Sequence, residues 1–200
     1  MNYKKSFLVL LVSTGLMWGC SNQGSSEGDK FFESGQYQEA VDAFSERLAT
    51  KPKDANDLYK RGRAYEEMGD LESAKKDFEA GYKQDPKNTQ ILLSLSNLYQ
   101  KEGNFERSLL YAGYAVEVPG APATAYFMKG RALHQMGKTD EALDEYSTAI
   151  QIDDQYGQAY YYRGVLKYAT KKTRSACEDF RLASGHNYKQ ADEALEKYCK

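Results

Sequence analysis

Two series of small residues, each repeating every 34 positions, constrain this chain more than any other feature. Gly28, Gly62, Ser96, Gly130 and Gly164 form one series, and Ala40, Ala74, Ser108, Ala142 and Ala176 form the other, twelve positions later. A period of this length means a helical solenoid, in which a single unit cannot bury its apolar face and only stacked units share a core. Small residues recurring on both helices of a unit let their backbones approach closely.

The unit beginning at Ala55 reads as a helix to about Met68, a turn at Gly69 and Asp70, and a second helix to about Gln84, closed by Asp85 and Pro86. Gly35, Gly69, Gly103 and Gly137 fall where the first helix of each unit must end in a left-handed residue. The fifth unit has Lys171 there, which predicts either a strained residue or a different turn. Leu58, Arg61, Gly62, Tyr65, Ala74, Phe78 and Pro86 occupy the signature places of a known motif. The match recurs with Tyr126, Gly130, Leu133, Gly137, Ala142, Tyr146 and Ala149, and with Tyr160, Gly164, Ala176, Phe180 and Ala183. On these residues the chain resembles the tetratricopeptide repeat family. The resemblance implies an all-α, right-handed superhelical solenoid of about five hairpins. The expected units are 28–54, 55–88, 89–122, 123–156 and 157–188, and Ala191, Ala194, Leu195 and Tyr198 predict a capping helix within 189–200. Arg47 stands where the first unit should have a small residue.

The start of the chain has a different character. Lys4 and Lys5 precede an apolar run from Phe7 to Val12, followed by Leu16, Met17, Trp18, Gly19 and Cys20. Residues 1–19 read as a secretory signal, shorter in its apolar part than the roughly 20 residues of a membrane-spanning helix. Gly19 before Cys20 resembles the lipobox of bacterial lipoproteins, although Met17 and Trp18 depart from its usual residues. That implies lipidation of Cys20; an ordinary cleaved signal is the alternative. Residues 20–27 carry nothing apolar to bury beyond Cys20 and are expected to be a flexible tether. In lipoprotein relatives Ser21, rather than Asp, fits sorting to the outer membrane.

Removing the signal takes Lys4 and Lys5 from the 27 basic residues, leaving 25 against 29 acidic ones and a net charge of −4. Such a balance favours neither nucleic acid nor anionic lipid headgroups. Besides Cys20 the chain has only Cys177 and Cys199, placed on the last two predicted helices. An exported protein with that pair is expected to form a disulfide across its cap, the alternative being two separate buried thiols.

The family resemblance implies that first helices line a concave groove, with contacts at the second, fifth, ninth, twelfth and thirteenth places of each unit. The fifth places are Tyr59, Leu93, Phe127 and Tyr161, and the ninth are Arg63, Asn97, Arg131 and Val165. One turn further lie Glu66, Gln100, His134 and Tyr168. Tyr59, Arg63, Leu93, Asn97, Phe127, Arg131, His134, Tyr161 and Tyr168 are therefore the expected groove residues, an aromatic row beside two arginines. Such a surface suits a peptide with apolar anchors and an acidic or carbonyl group. Repeat packing alone is the competing explanation of the row. The carboxylate clamp of chaperone-binding relatives is not expected, because Tyr59 and Arg63 stand where it needs Lys and Asn.

Gly137, Lys138 and Thr139 imitate the end of a phosphate loop, but they lie between two helices and Ala132 replaces the required glycine. His134 and His186 are too far apart in sequence to suggest a metal site. No cofactor, metal, nucleotide or catalytic role is expected. The expected function is a membrane-anchored adaptor of the cell envelope that binds a segment of another envelope protein. A small-ligand or glycan carrier in nutrient uptake is the alternative.

Overall fold

The computed structural model describes residues 26–200. The expected signal (1–19), Cys20 and most of the tether lie outside these residues. Among the described residues there are eleven helices and no strand. They are α1 (Glu27–Glu33), α2 (Tyr37–Thr50), α3 (Ala55–Glu67), α4 (Leu71–Gln84), α5 (Thr89–Lys101), α6 (Phe105–Glu117), α7 (Ala123–Gln135), α8 (Thr139–Ile152), α9 (Gly157–Ala169), α10 (Thr173–Gly185) and α11 (Gln190–Tyr198). Five hairpins and a final helix result. Each helix packs chiefly on its neighbours in sequence, and α5 also touches α7.

The tether boundary needs correction. Ser26 accepts a hydrogen bond from the Asp29 backbone N–H and donates its own N–H to the Asp29 carboxylate, a reciprocal cap that starts α1 at Glu27. The first helix of the array therefore begins at Glu27, one residue before position 28, with Ser26 as its cap.

The turns follow one design. At the end of α3 the Gly69 N–H donates to the Glu66 carbonyl at 3.0 Å and the Asp70 N–H to the Tyr65 carbonyl at 2.9 Å, with Gly69 at φ 81°. The fifth hairpin keeps this turn, and Lys171 adopts φ 62° to do so. Its N–H reaches the Tyr168 carbonyl at 2.9 Å, while the Lys172 N–H reaches Lys167 at 2.8 Å. Of the two outcomes expected for this unit, the strained residue is the one that occurs. Lys171→Gly is expected to raise stability by about 1 kcal/mol, relief of the left-handed strain outweighing the extra chain entropy. A urea midpoint that fails to rise would mean that the lysine is not strained.

The two small series explain how a hairpin closes. A Cβ added at Gly62 would lie 2.6 Å from the Phe78 ring, and one at Gly130 2.8 Å from the Tyr146 ring. Gly28 faces Phe44, and Gly164 faces Phe180, in the same way. In the third hairpin the glycine is replaced by Ser96 and the facing ring by Ala112, and the Ser96 hydroxyl donates to the Ser108 carbonyl at 3.0 Å. Ring and side chain exchange volume across the contact, as close packing requires. Phe78 also joins Ile91, Leu95, Leu98 and Tyr99 of the next hairpin in one core. One ring thus closes its own unit and seals the joint to the following one.

Charge is buried at the same joints. Arg61 of α3 forks onto Asp77 of α4, with Nε and Nη2 each 2.7 Å from a carboxylate oxygen and Nη1 3.1 Å from Ser45. Arg163 repeats this with Asp179, at 2.9 and 2.7 Å, and with Ser147 at 3.2 Å. Lys129 and Glu145 fill the same places in the fourth hairpin, 2.6 Å apart. The third hairpin has Leu95 and Tyr111 there instead. Arg47, anomalous in sequence, reaches from α2 to the fully buried Asp57 of α3 at 2.9 Å.

At the far end Ala191 and Ala194 of α11 are buried, and Leu195 and Tyr198 pack beside Phe180 and Ala176 of α10. A disulfide joins Cys177 of α10 to Cys199 just beyond α11, with the Cα atoms 5.7 Å apart.

Candidate functional site

A depression of about 530 Å³ runs across the first helices of successive hairpins. Tyr59 and Arg63 come from α3, Leu93 and Asn97 from α5, and Phe127 and Arg131 from α7. Helical spacing puts the fifth and ninth places of each unit on one face, and stacking sets these faces side by side. The structure thus brings together six of the nine residues expected in the groove.

The other three lie elsewhere. Tyr161 packs on Phe180, Tyr162 and Tyr188, with ring centroids 5.8, 5.4 and 5.1 Å away. Tyr188 follows α10 at the closing place of its unit, where Pro86 and Asp154 stand in earlier units, so the repeat gives no ring to cover Tyr161. Tyr168 lies against Tyr198, its ring centroid 4.3 Å away, at the outer end of the array. His134 is half-buried, with Nδ1 3.4 Å from the Tyr146 hydroxyl and its ring edge towards Tyr162. Burial, and after it the Arg131 charge, lowers the His134 pKa from the ordinary imidazole value and so favours the neutral ring.

The aromatic row is also less open than its spacing suggests. Phe127 is only 3% exposed, enclosed by Tyr146, Tyr156 and Tyr162. Tyr59 remains partly open and tilts against Phe78. The groove floor is therefore aliphatic and aromatic core seen edge-on, and its chemistry resides in the polar side chains above.

Glu66 organises those side chains. Its carboxylate accepts from Lys101 Nζ at 2.8 Å and Asn97 Nδ2 at 3.2 Å, and its second oxygen lies 3.4 Å from Arg63 Nε. Arg63 also donates to Glu67 at 3.1 Å. Arg131 differs. Its guanidinium enters no ion pair or hydrogen bond among the described residues and lies over the rings of Phe127 and Tyr162, 6.0 and 5.5 Å from their centroids.

Sequence reasoning did not single out Gln90, Thr124 and Gln158, which line one rim, or Glu67 and Lys101, which line the other. A signal for them existed. The first three recur at the second place of their units and the last two at the thirteenth, both among the contact places that the family resemblance implied.

With this geometry in place, comparison with known proteins is informative. The family model described as TPR repeat matches residues 28–69 and 130–171, and the one described as Tetratricopeptide repeat matches 55–88. The DnaJ homolog subfamily C member 3 homolog of Dictyostelium discoideum is 24% identical over 201 residues, covering 92% of this chain. The chain spans 40% of that relative's length. Among solved structures, MamA superposes with a TM-score of 0.74 at 22% identity, covering 84% of this chain and 99% of MamA. YrrB, described as a TPR protein with an unusual peptide-binding site, gives 0.70 at 22% identity over 84% of this chain and 88% of its own. PilW, a type IV pilus biogenesis factor, gives 0.72 at 17% over 80% and 74%. Period, closing rings, turn geometry and family matches all agree: the chain belongs to the tetratricopeptide repeat family.

Proposed function

We propose that this protein is a non-catalytic adaptor that holds an extended or helical segment of a partner protein in the groove formed by α3, α5 and α7. The observation that carries this reading is the groove itself: about 530 Å³, continuous over three hairpins, with an apolar floor and a polar rim. Peptide recognition needs that combination, apolar area for affinity and oriented polar groups for register. The peptide-binding site named for YrrB supports the reading by analogy of fold. On the sequence at residues 1–20 we further propose export and anchoring through a lipid on Cys20, in the outer membrane of a bacterial envelope. The pilus role named for PilW is consistent with such a setting. A glycan carrier is less well supported, because Phe127, a ring that would have to stack on sugar, is enclosed by other rings.

The test uses exposed rim positions. Gln90→Trp with Thr124→Trp fills the groove from residues that contribute nothing to the core. Affinity purification from detergent-solubilised membranes is expected to yield a stoichiometric protein with the wild type and to lose it with the double variant, the melting temperature being unchanged. Equal recovery with both would place partner binding outside the groove.

A further inference from the structure

We propose that Arg131 forms a carboxylate-binding subsite within this groove, so that the bound segment presents one acidic group at the α5–α7 end. This rests on the groove reading above and specifies the chemistry of its occupant.

The argument starts from the balance of charge. Arg63, Lys101 and Arg131 line the groove together with the carboxylates Glu66 and Glu67. Glu66 and Glu67 are engaged by Arg63 and Lys101, so the surplus cation is Arg131. The four ninth places of the repeat are consequently not equivalent. Arg63 is held by two carboxylates, Asn97 gives its amide to Glu66, and Val165 has no donor. Among them Arg131 alone is a cation with no ion pair or hydrogen bond among the described residues.

Its surroundings fit the same ligand. A second depression adjoins the groove at Asn97, Lys101 and Arg131 and is completed by Gln100, Phe105 and Gln135. Its lining holds two cations, three amides and no carboxylate. His134 lies three residues on from Arg131, half-buried with Nδ1 3.4 Å from the Tyr146 hydroxyl, and its burial disfavours a second positive charge there. Phe127 and Tyr162 hold the guanidinium by its face, which leaves its N–H edge for a planar acceptor. A half-buried guanidinium without an acceptor has lost water and gained no hydrogen bond in return, and a carboxylate with two parallel oxygens supplies two. That carboxylate is either an Asp or Glu side chain or the end of a chain.

The test selects two random dodecapeptide libraries on the purified protein, one with free and one with amidated C-termini. Wild type is expected to enrich peptides with Asp or Glu fixed at one position, or peptides from the free-terminus library alone. The first result identifies a side-chain carboxylate and the second a terminal one. Changing that acid to its amide in a selected peptide is expected to weaken binding about 10- to 100-fold. On Arg131→Gln the same change is expected to matter less than about twofold, whereas Arg63→Gln retains the full preference. Enriched peptides without an acidic preference, or with one that survives Arg131→Gln, would overturn the subsite and leave the groove reading standing. Enrichment from neither library would overturn both. If Arg131→Gln does not fold, Arg131→Lys takes its place: the charge stays but the forked pair is lost, and a reduced acid preference is expected, whereas a full one would overturn the subsite.

Discussion

Replacing Arg61 by alanine is expected to lower the unfolding free energy by about 3–5 kcal/mol, because Asp77 would stay buried without its partner. The Asp77 side chain is 8% exposed, and its two oxygens are 2.7 Å from Arg61 Nε and Nη2. The pair itself contributes far less than this loss suggests, since both charges gave up water to form it. The third hairpin demonstrates the alternative, with Leu95 and Tyr111 at the equivalent places and Tyr111 stacked on Tyr99 at 5.5 Å. Arg61→Leu with Asp77→Tyr, which copies that hairpin, is therefore expected to recover most of the loss. Urea unfolding of the single and double variants measures both quantities. A loss below about 1 kcal/mol in Arg61→Ala would show that water or a shifted neighbour satisfies Asp77.

Cys199→Ser is expected to cost about 3 kcal/mol, the chain-entropy value for a crosslink spanning 22 positions. For a chain of this size that corresponds to a melting temperature roughly 6–12 °C lower. The larger effect is local. Without the crosslink α11 is held only by Ala191, Ala194, Leu195, Tyr198 and their neighbours, so its amides should exchange well before those of α9. Dithiothreitol should move the wild type to the same melting temperature and leave a Cys177→Ser, Cys199→Ser variant where it is. A wild type indifferent to reductant would mean that packing alone secures the cap.

The repeat was legible because its causes are local. A glycine facing a ring, a left-handed turn residue and an acidic or amide N-cap such as Asp54 or Asn88 each act within one unit, so one period of sequence contains them. The Arg61–Asp77 and Arg163–Asp179 pairs were not read, because charged residues on a helix ordinarily face water. Here they face each other between the two helices of one hairpin, α3 with α4 and α9 with α10. Their signal was the recurrence of Arg sixteen residues before Asp, with Lys129 and Glu145 between the two copies. The groove was legible as a set of places and less so as a surface. Phe127 and Tyr161 occupy equivalent places, yet Tyr156 and Tyr162 enclose the first and Tyr188 covers the second. The pairing of Arg63, Asn97 and Lys101 on Glu66 depends on how far α5 stands from α3, which no single unit specifies.

Neighbour-only packing makes the two ends of the stack unequal. The last hairpin is covered by α11 and chained to it, whereas the first opens with a helix of seven residues whose ion pair to the next hairpin is Asp29 with Lys60, 2.8 Å apart. Thermal fraying is then directional. It enters through α1 and α2 and reaches the α3 wall of the groove before the α7 wall, so a bound segment loses its grip first at Tyr59 and last at Arg131.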